Sequence, residues 1–87
     1  MRIEACTTRS QFLEFLNQPA GALASVTMKD LVQKTIDLGI KPVTFADGMS
    51  VSEGTVGRWQ SGAVVPHDIM RRTAIRELPN MLASVPA

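Results

Sequence analysis

Polar side chains crowd the short segment 52–58, where Ser52, Glu53, Thr55 and Arg58 lie close together. The guanidinium of Arg58 can donate two parallel hydrogen bonds to guanine O6 and N7, and the Glu53 carboxylate can accept one from cytosine N4. The hydroxyl groups of Ser52 and Thr55, with the backbone N–H groups at a helix start, suit phosphate oxygens. These residue types therefore favour contacts with nucleic acid.

The chain lacks the groups on which most catalytic and metal sites depend. It has one histidine, His67, one cysteine, Cys6, and no tyrosine. Its carboxylates are not clustered, so we find no nucleophile–base pair and no metal-ligand spacing. We therefore predict no enzyme activity, cofactor, metal or small-molecule ligand. A lone cysteine also excludes an intrachain disulfide and suits a reducing compartment, and we expect a surface or capping role for His67.

Two short helices must position the polar segment, according to the spacing of the apolar residues. The residues with helical spacing are Phe45, Ala46 and Met49 in the first helix, and Val56 and Trp59 in the second. Pro42 suits the first position of a helix, Ser52 suits an N-cap, and Gly62 suits a helix end. We predict helices over about 42–48 and 53–60, with Val51 filling the corner between them.

The rest of the chain also has helical rather than alternating patterns. We predict a loose or extended lead-in over 1–7, a helix over 8–17 capped by Thr8 or Ser10, and a connector over 18–25. A helix over 27–38 is predicted from the capping box formed by Thr27 and Asp30. A last helix begins at Pro66 and is interrupted at Pro79, and 80–85 add a final turn. The predicted fold class is all-α, a compact bundle of five to six short helices.

The middle of the chain resembles a known DNA-binding family. The residues that carry the resemblance are Gly39-Ile40, Phe45-Ala46, Met49, Val51-Ser52, Thr55-Val56, Arg58-Trp59, Gly62 and Pro66. This pattern, which fits about 27–78 without a gap, is similar to the lambda-repressor/Cro-like helix-turn-helix domain, also called the xenobiotic-response-element type. The resemblance implies a five-helix bundle in which the recognition helix, about 53–60, enters the major groove, and dimers that bind paired half-sites.

Three residues depart from the pattern of that family. Ser50 stands where the family usually has glycine, and a positive φ at that corner costs on the order of 1 kcal/mol. Gly54 and Gly57 inside the second helix each cost roughly 1 kcal/mol relative to alanine. They also remove side chains from the face that would read bases, so discrimination between DNA sequences depends mainly on Arg58.

The expected DNA-contacting set combines the second helix with basic residues around it. Its members are Ser52, Glu53, Gly54, Thr55, Gly57, Arg58, Lys41, Arg71 and Arg72. The net charge is only +1, although residues 41–76 carry five basic and three acidic residues. Arg71, Arg72 and Arg76 can alternatively be the solvated face of the last helix.

We expect a sequence-specific regulator of transcription that binds duplex DNA, from a bacterium or a phage. The alternative is a protein-interaction module on a helix-turn-helix scaffold, such as an antitoxin or an adaptor that contacts polymerase.

The predicted domains are 27–87, which binds DNA, and 1–26, an N-terminal helix and connector. The resemblance also implies a homodimer, which we expect to form through 8–17 or 79–87. Phe12, Phe15 and Leu16 form a stripe that is either core or a dimer face, and because the pattern over 27–78 already closes a core, we favour a partner face or an added cover. No apolar run approaches the roughly 20 residues of a membrane helix, and no apolar signal-peptide core is present. We therefore expect a cytoplasmic protein.

Overall fold

The computed structural model describes residues 2–85, and over that range the chain forms five α-helices, two short 3-10 helices and no strand. The α-helices are α1 (Arg9–Leu16), α2 (Met28–Asp37), α3 (Pro42–Met49), α4 (Glu53–Ser61) and α5 (Asp68–Ser84). The 3-10 helices are Ile3–Ala5 and Ala20–Leu23. The prediction of an all-α fold is confirmed for this part of the chain. None of its helices has both the length and the apolar character required to cross a bilayer.

Reciprocal capping boxes explain where α1 and α2 begin. Thr8 Oγ1 accepts a hydrogen bond from Gln11 N at 3.1 Å, while Gln11 Oε1 accepts one from Thr8 N at 3.2 Å. Thr27 and Asp30 form the same arrangement at the start of α2. Each box satisfies N–H groups that a helix start leaves without an intrahelical partner. The expected start of α1 is thus settled in favour of Thr8.

The connection between α3 and α4 is three residues long and contains a left-handed residue. Ser50, at φ 57° and ψ 41°, is the only non-glycine residue of the range 2–85 with a positive φ. The N–H groups of Ser50 and Val51 donate to Asp47 O and Ala46 O, which satisfies carbonyls at the end of α3. Ser52 then caps α4, and Gly62, at φ 80°, ends it. Both helices are one residue longer than predicted.

The core holds α3 and α4 together through aromatic and small residues. Phe45 and Trp59 are both buried, with ring centroids 6.5 Å apart in an edge-to-face arrangement, a geometry favoured by the ring quadrupoles. Val56 is fully buried, and Ala46 is small enough for two helices to cross closely. Val51 is half-buried against the core, as expected for the corner. The predicted inner faces of both helices are confirmed.

The N-terminal segment belongs to the same core. Phe12, Phe15 and Leu16 of α1 are buried in it, so the stripe that we assigned either to core or to a dimer face is core. The loose lead-in predicted over 1–7 is wrong, because Ile3–Ala5 forms a 3-10 helix that buries Ile3 and, after it, Cys6. One 3-10 turn places these two apolar residues, three apart, on one side, and that side is buried against the rest of the core.

Helix α5 also differs from its predicted bounds. It begins at Asp68 rather than Pro66, because His67 is the N-cap and its Nδ1 accepts from Ile69 N at 3.2 Å. It continues through Pro79 to Ser84, so the predicted interruption is wrong. Proline removes one intrahelical donor, but Leu78, Met81 and Leu82 on both sides of it are buried. Burial of these side chains favours the continuous helix.

Candidate nucleic-acid interface

Helix α4 has one side in the core and the opposite side exposed. Val56 and Trp59 are buried, whereas five residues on the other side are exposed. These residues, which we call the α4 face, are Glu53, Gly54, Gly57, Arg58 and Ser61. Ser61 is absent from the predicted set because the predicted helix ends at 60. Ser61 lies seven residues after Gly54 and four after Gly57, a spacing that places all three on the same side of an α-helix. This spacing is the sequence signal for including Ser61.

A chain of hydrogen bonds runs along α4 from its cap to its arginine. Ser52 Oγ accepts from Thr55 N at 3.2 Å and lies 2.8 Å from Thr55 Oγ1. Arg58 Nη2 in turn donates to Thr55 Oγ1 at 3.1 Å. The three residues are spaced three apart, so they are neighbours on the helix surface. The contact directs the Arg58 guanidinium towards the N-terminal half of α4 and leaves its other N–H groups available.

The two glycines of the α4 face are not required by packing within the chain. A β-carbon at Gly57 would have no atom within 4 Å, and one at Gly54 would lie at an ordinary contact distance, 3.7 Å, from Arg58 Nη1. Neither residue has a positive φ. The glycines therefore leave part of the α4 backbone uncovered, which allows a partner to approach it closely.

The remaining basic residues of the predicted set lie in different surroundings. Lys41 is exposed at the N-cap of α3. Arg72 is exposed on α5, and its Nε lies 2.8 Å from Asp68 Oδ2. Both positions leave a cation accessible, although the surface pair of Arg72 with Asp68 contributes little to stability.

Arg71 has a more buried position than Lys41 and Arg72. Its side chain is only 17% exposed, and its Nη1 donates to Leu23 O at 2.9 Å and to Val26 O at 3.3 Å. Its Nε donates to Asp68 Oδ1 at 2.9 Å. These bonds fasten α5 to the segment before α2. Its DNA contact stays a prediction, and we leave Arg71 out of the contacts proposed below because these bonds occupy its guanidinium.

Two groups have pKa values shifted by these surroundings. The hydrogen bond from Arg71 lowers the pKa of the Asp68 carboxyl, and the charges of Arg71 and Arg72 lower it further. Burial raises the pKa of the Cys6 thiol, although the nearby Lys34 ammonium opposes the shift. Lys34 Nζ donates to Cys6 O at 2.9 Å. Cys6 is thus a neutral buried thiol in the core.

Helix α2 contributes polar groups beside α4 that we did not predict. Gln60 Nε2 donates to Gln33 Oε1 at 3.1 Å. A β-carbon at Gly62 would lie 3.9 Å from Lys29 Nζ and 3.7 Å from Lys29 Cδ. Both α2 residues are exposed. Their proximity to α4 results from the packing of two helices that are about thirty residues apart in sequence, and no local pattern indicates it.

Acidic, histidine and cysteine side chains do not gather into a potential metal site anywhere in residues 2–85. The chain matches no protein-family model, no curated protein and no solved structure at a significant level.

Proposed function

We propose that this chain is a duplex-DNA-binding regulator of transcription of the lambda-repressor/Cro-like type. In this proposal α3, the corner 50–52 and α4 form the helix-turn-helix, and α4 enters the major groove. The observation that carries it is the exposed Arg58 guanidinium, held by the Thr55 hydroxyl on the outer side of a helix whose inner side is anchored in the core. A positioned guanidinium on an exposed helix is a common reader of guanine.

The proposed contacts divide into those that read bases and those that position the helix. Arg58 binds guanine through its free N–H groups, and Glu53 accepts from cytosine. Ser52, Thr55 and the first N–H groups of α4 bind phosphate oxygens, as helix starts do. Gly54 and Gly57 let the DNA approach the α4 backbone. Lys41 and Arg72 supply further phosphate contacts.

Selection of bound sequences from random duplex DNA, followed by a salt series on the selected site, tests this proposal. Binding should weaken steeply as salt rises, because phosphate contacts release counterions. Arg58→Ala should flatten the preference at one base pair by roughly 1–3 kcal/mol. Arg76→Ala is the matched control, since Arg76 is an exposed arginine on α5 beside Glu77. A wild-type protein that ignores duplex DNA at low salt would contradict the proposal.

The proposal includes a homodimer, because paired recognition helices would contact half-sites about 34 Å apart. Neither segment that we expected to form the dimer offers a large apolar face. The apolar residues of 8–17 are in the core. Met81 and Leu82 of the segment 79–87 are also in the core. Residues 86–87 of that segment lie outside the described range. Light scattering of the intact chain at concentrations that bind DNA tests for the second copy, and a monomer under those conditions would exclude it.

A protein-interaction module on the same scaffold is the second candidate function. The observation that favours it is the exposure of apolar side chains after α4, where Val65 is 85% and Ile69 is 65% exposed. An antitoxin or a polymerase-contacting adaptor would use such residues to bind its partner. Ser substitution at both positions would abolish partner binding in this case, whereas Arg58→Ala would not.

A further inference from the structure

The ammonium group of Lys29 lies at the carboxyl end of α4, although Lys29 belongs to α2. Lys29 Nζ is 3.9 Å from the position of a β-carbon at Gly62, the residue that ends α4. The Gln33–Gln60 hydrogen bond, one turn further along α2, joins the same two helices. The backbone that carries Lys29 is therefore fixed relative to α4.

Lys29 differs from several other cations of the chain in having no partner within residues 2–85. It takes part in none of the ion pairs or side-chain hydrogen bonds of that range. Lys34, on the same helix, donates to Cys6 O. On α5, Arg71 and Arg72 are paired with Asp68. An exposed, unpaired ammonium at the carboxyl end of α4 is free to bind an anion.

The length of α4 suggests which anion this is, given the proposed function. The helix has nine residues, which makes it about 13 Å long at 1.5 Å per residue. The major groove of B-form DNA is about 12 Å wide. Ser52 and Thr55 stand at one end of α4 and Lys29 at the other. The two ends of α4 are thus separated by about the width of the groove.

We propose that Lys29 binds a backbone phosphate of the DNA strand opposite the one bound by Ser52 and Thr55. Helix α2 then supports α4 in the groove from its carboxyl end, so the DNA surface extends beyond α3 and α4. This inference rests on the proposed function. It also predicts a preference for B-form DNA over duplex RNA, because the major groove of A-form RNA is deep and narrow.

Lys29→Met tests the inference, since methionine keeps much of the aliphatic stem beside Gly62 and removes the charge. We expect the magnitude of the slope of log K against log salt to fall by about 0.9, the contribution of one phosphate. Affinity should fall about five- to tenfold at 0.1 M salt, evenly across DNA sequences. Lys29→Arg should retain the slope. Arg76→Gln, which removes an exposed charge from α5, should also leave the slope unchanged.

The outcomes separate this inference from the proposed function. If wild-type protein does not bind duplex DNA, both fail. If it binds with a base preference that depends on Arg58 while Lys29→Met keeps the wild-type salt slope, only the Lys29 inference fails. A Lys29→Met variant that changes the base preference and leaves the salt slope unchanged would likewise overturn it. A duplex RNA of the same sequence bound as tightly as the DNA would contradict the groove geometry.

Discussion

A single hydroxyl group, that of Thr55, lies between the Ser52 cap and the Arg58 guanidinium. It is 2.8 Å from Ser52 Oγ and accepts from Arg58 Nη2 at 3.1 Å. An unrestrained arginine loses on the order of 2 kcal/mol of rotamer entropy when it is ordered on a partner. A guanidinium already directed along α4 loses less of that freedom on binding.

Thr55→Val is therefore expected to weaken the base preference that Arg58 supplies and to leave the fold intact. Valine has nearly the same shape, and Ser52 still caps the Thr55 N–H. Thr55→Ser keeps the hydroxyl and should retain the wild-type preference. A double-mutant cycle with Arg58→Ala should give a coupling energy of about 0.5–3 kcal/mol. Additive effects of the two substitutions would show that Arg58 does not need Thr55.

The glycines of the α4 face allow a second residue-level prediction, in which stability and binding change in opposite directions. Gly57→Ala should stabilise the fold by about 1 kcal/mol, because alanine is a better helix former and has open space there. The same methyl group should weaken DNA binding, because it covers backbone that the DNA approaches. Urea unfolding and DNA titration of one variant measure both effects.

Gly48→Ala is the matched control for that prediction. A β-carbon at Gly48 would lie 2.6 Å from Cε of the buried Met81, so Met81 must shift, and the helix-propensity gain is offset. Gly48 is not part of the α4 face, so we expect no effect on base preference. If Gly57→Ala bound DNA as tightly as wild type, close approach at that glycine would be excluded.

At the scale of helices, the sequence predicts the elements best where capping chemistry is local. Thr27 and Ser52 cap the helices that they were expected to cap, and Thr8, one of two candidates, caps α1. These predictions succeed because an N-cap depends on residues three apart in sequence. The 3-10 helix Ile3–Ala5 and the continuity of α5 through Pro79 are not predictable in this way. Both depend on burial against distant parts of the chain, which overrides local preference.

Arg71 shows how one side chain fastens an element, and its removal is the third prediction. Arg71→Met should destabilise the fold by about 1–3 kcal/mol at neutral pH, because the Leu23 and Val26 carbonyls lose a charged donor. Since Arg71 lowers the Asp68 pKa, that pair stabilises the fold above the ordinary pKa of aspartate and ceases to do so as pH falls through the lowered value. The stability difference between wild type and variant should therefore shrink in acid.

Chemical unfolding at several pH values between neutral and strongly acidic measures this difference. Arg72→Met is the control and should have a much smaller effect, since the Arg72 side chain is 74% exposed and forms a surface ion pair with the Asp68 carboxylate. The salt slope of DNA binding should not change in Arg71→Met. A reduced slope would return Arg71 to the phosphate-binding set.

In the whole molecule, the sequence predicts which residues form the outer side of α4. It does not predict which residues of other helices lie beside α4. Helical periodicity separates Val56 and Trp59 from Arg58, because that separation needs only the phase of one helix. The positions of Lys29 and Gln33 beside α4, and of Arg71 against Leu23, arise from packing between elements. The division into the domains 1–26 and 27–87 stays a prediction. Residues of both segments share one core, so removal of 1–26 tests whether 27–87 folds alone.

The N-terminal segment supplies a large part of the core that 27–87 would have to form alone. A chain that begins at Ser25 lacks six apolar core residues, Ile3, Cys6, Phe12, Phe15, Leu16 and Leu23. Loss of a single buried phenylalanine costs about 3–5 kcal/mol, which is a large fraction of the 5–15 kcal/mol that stabilises a typical domain. We therefore expect the shortened chain to lose the near-ultraviolet circular dichroism of Trp59, whose ring packs against Phe45 in the folded protein. A chain shortened only to residue 2, which retains all six residues, should keep that signal. If the chain from Ser25 unfolded cooperatively with the wild-type Trp59 signal, 27–87 would be an independent domain and the N-terminal segment only a cover.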